Sequence, residues 1–246
     1  MSLINKFRPT SVRPPQQMAT ARPQQKSAHG LPLHAPTAGP GTPKESVGRF
    51  SNGLKEFLWH LDGIGHGNLL DMGPVSQATV SYFIERGFKV YTEDVLSGWR
   101  AFLREQEDQA RTAVPGTVPP DSSPAARAER FLSANLGHAP DTFDAVLLWD
   151  VLDYLDRDMV PSFLSRLSTL VREAGAIFAV FHTRMPEQFH RYRVIDAHNL
   201  ELVPATPLVQ PRHVYQNREI QELFERYRTS KSFVSRDQLR ESVFVK

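Results

Sequence analysis

Apolar residues recur along this chain at two spacings, and the spacings alternate. Leu54, Phe57, Leu58 and Leu61 fall at i, i+3, i+4 and i+7, which predicts a helix over about 51–61. Ser51 stands where its hydroxyl can accept from the first free backbone N–H groups. Gly63, Gly65 and Gly67 end that segment. An apolar run, Asn68-Leu69-Leu70-Asp71-Met72-Gly73, then predicts a short strand entering a turn. Ser76 to Arg86 reads as a helix, with Gly87 as the residue beyond its end. Phe88 to Thr92 predicts a second strand, closing a unit of βαβ size.

The alternation continues downstream. Residues 97–110 read as a helix, and 112–124 as a loop on proline content. Glu129 to Leu136 is read as a short third strand. The run Phe143–Asp150 predicts a buried strand. A helix follows, with Pro161 near its start and Phe163, Leu164, Leu167, Leu170 and Val171 on one face, and with Gly175 as its stop. Ala176 to Phe181 is another buried strand, and 191–203 reads as a hairpin. Ile220, Leu223, Phe224 and Tyr227 repeat the helical spacing. Ser232–Ser235 and Glu241–Val245 form a closing pair of strands, separated by too few residues for a parallel crossover, so they must run antiparallel. Strands alternating with helices require a parallel sheet covered on both faces. The expectation is therefore an α/β fold: a doubly wound, mostly parallel seven-stranded sheet with an antiparallel C-terminal hairpin and helices on both faces.

Composition changes this picture only at the N-terminus. Residues 1–45 hold eight of the 19 prolines and one aromatic, Phe7, too little apolar surface to offset ordering entropy; they read as a disordered Pro/Gln-rich basic tail before a domain at 46–246. The formal charge of +2 is unevenly spread. The tail carries six Lys/Arg against Glu45, or +5, which leaves 2 − 5 = −3 for the body. A general case for nucleic-acid binding fails there. There is no cysteine, which excludes disulfides and thiolate chemistry. No apolar stretch approaches the roughly 18 residues of a membrane span, and the N-terminus lacks a signal-type apolar core. A cytoplasmic protein is expected, and its oligomeric state is not readable.

Three segments carry a resemblance to the class I S-adenosylmethionine-dependent methyltransferases. Leu69-Leu70-Asp71-Met72-Gly73 resembles that family's first motif, an apolar strand ending in Asp-x-Gly. Phe143 to Leu155 is similar to its segment around the fourth strand. The ending from Tyr215 to Phe244 looks like several bacterial members. The resemblance implies S-adenosylmethionine as cofactor and methyl transfer to an unidentified acceptor, with a small molecule as the expected partner. It assigns Asp71 to the neighbourhood of the cofactor's methionine amino group, Asp94 or Glu93 to the ribose hydroxyls, and Asn135 to the adenine. Trp149 and Asp150 would face cofactor and acceptor. Gly73 lets the backbone approach a ligand without a Cβ. The family's Asp-x-Gly-x-Gly-x-Gly run departs here to Asp71-Met72-Gly73-Pro74-Val75-Ser76-Gln77. A β-branched Val75 is expected to narrow the space for the methionine part.

His182 follows a strand, at the edge where ligands bind in such sheets, and is a candidate base or acceptor contact. The spacing His182…His190 fits no helix-borne metal pair, so no metal is expected. A sulfonium is already an activated methyl donor, so positioning alone supplies much of the rate and a strong acid–base set need not be visible. Two further readings stand beside this one. A non-catalytic methyltransferase-fold protein would bind a ligand or partner. A nicotinamide oxidoreductase would need a Gly-x-Gly-x-x-Gly fingerprint, which is missing.

Overall fold

The computed structural model describes residues 46–113 and 121–246. The reading of residues 1–45 as a tail, and of 114–120 within the predicted loop, lies outside the described residues.

The chain runs through β1 (Val47–Phe50), α1 (Asn52–Leu61), β2 (Gly67–Asp71), α2 (Gln77–Glu85), β3 (Phe88–Thr92), α3 (Val95–Thr112) and α4 (Pro124–Asn135). It continues with β4 (Phe143–Trp149), α5 (Val151–Tyr154), α6 (Val160–Leu170) and β5 (Val171–His182). The last elements are β6 (Phe189–Val194), β7 (Asn199–Ala205), α7 (Asn217–Leu223), β8 (Arg228–Val234) and β9 (Leu239–Val245). Caps set several of these starts. Ser51, Ser76 and Ser123 each accept from the backbone N–H three residues on, which fixes where α1, α2 and α4 begin. Gly87 ends α2 with a φ of +88°, a turn in which a side chain would run into the Gly65 carbonyl.

The main sheet has the order β3-β2-β4-β5-β9-β8. β2 pairs in parallel with β3 and β4, and β4 with β5; β9 runs antiparallel to β5, and β8 to β9. Side chains on the inner strands alternate between two cores, as a period of two requires. Leu70, Val146, Leu148, Ile177 and Phe181 face the core covered by α3 to α7. Leu69, Leu147, Phe178 and Val180 face the core covered by α1 and α2. The second core also takes Tyr192, Val194, Leu200 and Leu202 from a separate three-stranded sheet, β1-β7-β6. The 191–203 hairpin therefore belongs to this small sheet, whose first strand, β1, is largely exposed and gives no alternating signal.

The sheet has six strands among the described residues, not seven. The segment read as a strand at Glu129–Leu136 is helical. Its cap at Ser123, Pro124 in the first turn, and the buried Ala128, Phe131 and Leu132 at i, i+3 and i+4 outweigh the local strand propensity. β3 is left as the edge. Gly175 does not stop α6. That helix ends at Leu170, β5 begins at once, and Ala174 at a φ of +61° and Gly175 form an irregularity in its pairing with β4.

One ionic cluster ties the small sheet to the large one. The Arg49 guanidinium lies 2.8 Å from Glu241 Oε1 and 3.0 Å from Asp237 Oδ2. Glu241 Oε2 accepts from the Gly53 N–H at 2.8 Å, so β1, the start of α1 and β9 meet on a single buried carboxylate. Glu241→Ala is expected to cost about 3–5 kcal/mol, because it leaves the guanidinium with only the exposed Asp237 and the Gly53 N–H without its acceptor. Asp237→Ala, at the exposed end of the same cluster, should cost less than about 1 kcal/mol. Chemical denaturation of both variants beside the wild type checks that ranking.

Candidate functional site

The carboxyl ends of β2 and β4 place Asp71 and Trp149 side by side. Asp71 is buried, and its Oδ1 accepts from the Trp149 indole Nε1–H at 2.7 Å and from the Gly73 N–H at 3.1 Å. Burial pushes the Asp71 carboxyl up to about 6, against the two hydrogen bonds, which favour its charged form; the Asp94 charge adds to the rise. A Cβ at Gly73 would lie 2.7 Å from Trp149 Cδ1, so the indole occupies the space that the missing side chain leaves. Trp149 has a φ of +54°, a left-handed backbone that costs a tryptophan about 1–3 kcal/mol. Its ring stacks on Tyr192 of β6, with centroids 5.4 Å apart and planes at 6°.

The neighbouring carboxylates form a second group. Asp150 is buried, its Oδ2 accepting from the Tyr192 hydroxyl at 3.1 Å. Burial pushes Asp150 up to about 7; a charged His182 and the Tyr192 hydroxyl act to lower it, and Asp153 to raise it. Asp153, fully buried on α5, accepts the backbone N–H of His182 at 2.7 Å and lies 2.8 Å from His182 Nδ1. An acceptor-only carboxylate there puts the ring proton on Nδ1. His182 Nε2 stands 3.9 Å from Asp150 Oδ2. Burial pulls the His182 pKa down, but the bond to Asp153 and the two negative neighbours outweigh it and leave it raised. Two carboxyls and one imidazole, all buried, therefore share few protons over a range reaching neutral pH.

The expected site residues thus fall into two sets. Gly73, Asp94, Trp149 and Asp150 line one narrow, partly open pocket of about 20 Å³, close to the room of a single water, and Asp71 lies behind it under the indole. Asp94 is committed locally: it caps α3, with Oδ1 accepting from the Ser97 N–H and Oδ2 from the Ser97 hydroxyl. Glu93 and Asn135 stand outside that lining. Glu93 lies 3.4 Å from His138 Nε2, and the Asn135 amide donates to the Phe131 carbonyl one turn back. His182 lines a different cavity, of about 290 Å³. Val75 does not narrow the site. Its side chain is 68% exposed and its backbone stays at ordinary negative φ, while Gln77 opens α2 on the surface. The space is filled by Trp149. Two partners escaped the sequence reading: Asp153, whose only signal is its i+3 spacing from Asp150, and the hydroxyl of Tyr192, read there as an apolar hairpin position.

No family model matches this chain. No curated protein matches it either. Solved structures do. One is the 1,6-didemethyltoxoflavin-N1-methyltransferase of Burkholderia thailandensis with bound 1,6-didemethyltoxoflavin and S-adenosylhomocysteine. It has a TM-score of 0.44 and 17% identity, over 79% of this chain and 76% of that one. TehB from Haemophilus influenzae has a TM-score of 0.44 and 14% identity over 78% of this chain, which spans 61% of TehB. A SAM-dependent methyltransferase from Aquifex aeolicus has a TM-score of 0.41 and 13% identity, over 78% and 88% of the two chains.

Asp71 makes a pH prediction. Its folded pKa, about 6, exceeds the ordinary 3.8, so the folded state holds its proton over a range where the unfolded chain has lost it. The contribution of this group to stability is present below pH 4 and is lost as pH rises through 6. Asp71→Asn keeps an acceptor oxygen and removes the charge. Its stability relative to the wild type should rise by about 3 kcal/mol between pH 4 and pH 8. Denaturant titrations across that range test it; a difference that stays constant would show that Asp71 does not titrate this way.

Proposed function

We propose that this chain is an S-adenosylmethionine-dependent methyltransferase whose cofactor site is closed by its own Trp149. The observation that carries the reading is the indole seated in the Gly73 cradle. A backbone position free of a side chain, beside a buried carboxylate, is filled by a ring held in a strained backbone. Strain of that kind collects at ligand clamps and switches. As folded here the strand ends have no room for the cofactor, since the cavity among them is about 20 Å³. With the indole withdrawn, the donor set suits it. Asp71 would hold the methionine amino group with the carboxylate oxygen that now binds the indole. Gly73 would leave room for the backbone to approach. Asp94 would take the ribose hydroxyls from the start of α3, at the expense of its bonds to Ser97. When bound, the sulfonium supplies an already activated methyl group. The chain then has to hold the acceptor in line and keep water out, tasks that fit the buried walls around Asp150 and Tyr192.

The closed state sets the expected affinity. A competing side chain lowers apparent affinity by the fraction of molecules in which the site is open. A hydrogen bond to a charged group is worth about 1.5–3 kcal/mol, so Trp149→Ala should bind S-adenosylhomocysteine about tenfold or more tighter than the wild type. Asp94→Ala should weaken that binding. Calorimetric titration of the three proteins reads both effects. The absence of heat from wild type and Trp149→Ala alike overturns the reading. That result would favour a methyltransferase-fold protein that binds some other ligand, which the small cavity and the committed Asp94 also favour.

A further inference from the structure

We infer that the cavity beside His182 binds a small molecule with an apolar body and one acidic hydroxyl, whose proton is shared with His182 Nε2. In the proposed function this molecule is the methyl acceptor, so the inference rests on that reading for its consequence but not for its binding.

The cavity measures about 290 Å³ and lies where the small sheet, the segment after β5 and the start of β9 meet. A volume near the lower end of small-molecule sites suits a single ring or a short chain. Its walls are largely apolar, with Val47, Met185, Leu202 and Leu239 among them. Val47 and Met185 are 58% and 52% exposed, so an apolar body would cover side chains that water now meets. Charge at the rim balances: Arg49 is held by Asp237 and Glu241, while Arg184 and Glu187 stand on the same segment with opposite signs. A neutral compound therefore suits this rim better than an anion does.

His182 is the buried polar group of this lining, beside the less buried Arg184, Glu187, Gln188, His190 and Gln238. Its Nδ1 is fixed on Asp153, which also accepts the residue's backbone N–H, so the ring cannot turn without breaking a buried hydrogen bond. That leaves Nε2 as the free position, since Asp150 Oδ2, at 3.9 Å, is beyond hydrogen-bond length. A neutral imidazole with its proton on Nδ1 accepts at Nε2, and the imidazolium that its two carboxylate neighbours favour donates from Nε2 to the ionised oxygen, so both forms hold the oxygen on one line. A hydroxyl donating there transfers its proton along that line, leaving oxygen as the anion and His182 as the cation. Asp153 and Asp150 stabilise that cation, as a buried carboxylate stabilises the imidazolium of a general base. Tyr154 also faces the ring, edge-on with centroids 6.3 Å apart, and Tyr192, whose proton burial and the Asp150 charge retain, reaches Asp150 from the small sheet. His190 lines both this cavity and the small one beside Trp149, so a hydroxyl held here adjoins the strand ends.

The test uses 4-nitrophenol, whose ionised form has its own visible absorption band, with no cofactor added and at a pH below the free pKa of the compound. The wild type should bind it saturably and raise the phenolate band. His182→Gln should lose that band and bind at least tenfold more weakly, with its circular dichroism unchanged. Met185→Asp, at the exposed rim, should weaken binding severalfold while keeping the phenolate band, and it holds the test open if His182→Gln does not fold. No saturable binding by the wild type, or the same spectrum and affinity in His182→Gln, overturns the inference. Nitrophenol failing while S-adenosylhomocysteine binds overturns this inference alone; the converse overturns the proposed function alone.

Discussion

The carboxyl end of the sheet is organised by one contact, the Trp149 indole lying against a residue with no side chain. Because Gly73 lacks a Cβ, the ring can drop onto the turn after β2 and reach Asp71 with its N–H. A buried carboxylate without such a donor would carry the full cost of desolvation. The ring in turn offers a flat face to Tyr192, whose hydroxyl reaches Asp150. Two buried acids are thus each tied to the polar edge of one member of a stacked aromatic pair. The small sheet is held in place partly through β6, which carries Tyr192 and whose Val194 N–H donates to Thr79 of α2.

This arrangement brings sites of different character together. The pocket beside Trp149 is nearly solid, while the space beside His182 is open, with apolar walls and charged side chains around them. Between them stand Asp150 and His190. Moving Trp149 would require Tyr192 to lose its stacking partner and Asp71 its donor, so changes at the strand ends cannot stay local. The raised pKa values of Asp71 and Asp150 follow from the same packing: rings exclude water, and a few donors, the indole and Gly73 N–H groups for Asp71 and the Tyr192 hydroxyl for Asp150, replace it only in part.

Much of the frame was legible in the sequence, because packing there obeys simple periods. The stripe Leu54-Phe57-Leu58-Leu61, the serine caps and the run Phe143–Trp149 specify their elements locally. The convergence of Asp71, Gly73, Trp149 and Asp150 follows from β2 and β4 being parallel neighbours, which strand–helix alternation implies. α4 was misread because Phe131 and Leu132 were weighed as a strand while the proline and serine that start the helix lie several residues earlier. Position in the chain assigns Glu93 and Asn135 to the ligand, but the approach of Glu93 to His138 and the bond from Asn135 to the Phe131 carbonyl are matters of side-chain direction. The role of Val75 could not be read either. A one-dimensional pattern suggests crowding at that turn, yet the residue that crowds it, Trp149, arrives from the end of β4. Asp153 carries only its i+3 spacing from Asp150 until β5 brings His182 to it.

The Gly73–Trp149 contact also has a consequence for how this sequence can drift. The two positions are not independent characters. Any side chain at 73 meets the indole at once, whereas a smaller residue at 149 leaves 73 free to vary and Asp71 without its ring donor. Changes at 149 must therefore come first, and a lineage that has made them passes through a form with an exposed acid and an open turn. Among relatives of this chain, a side chain at position 73 should be found only where 149 is no longer tryptophan, whereas glycine at 73 is compatible with either.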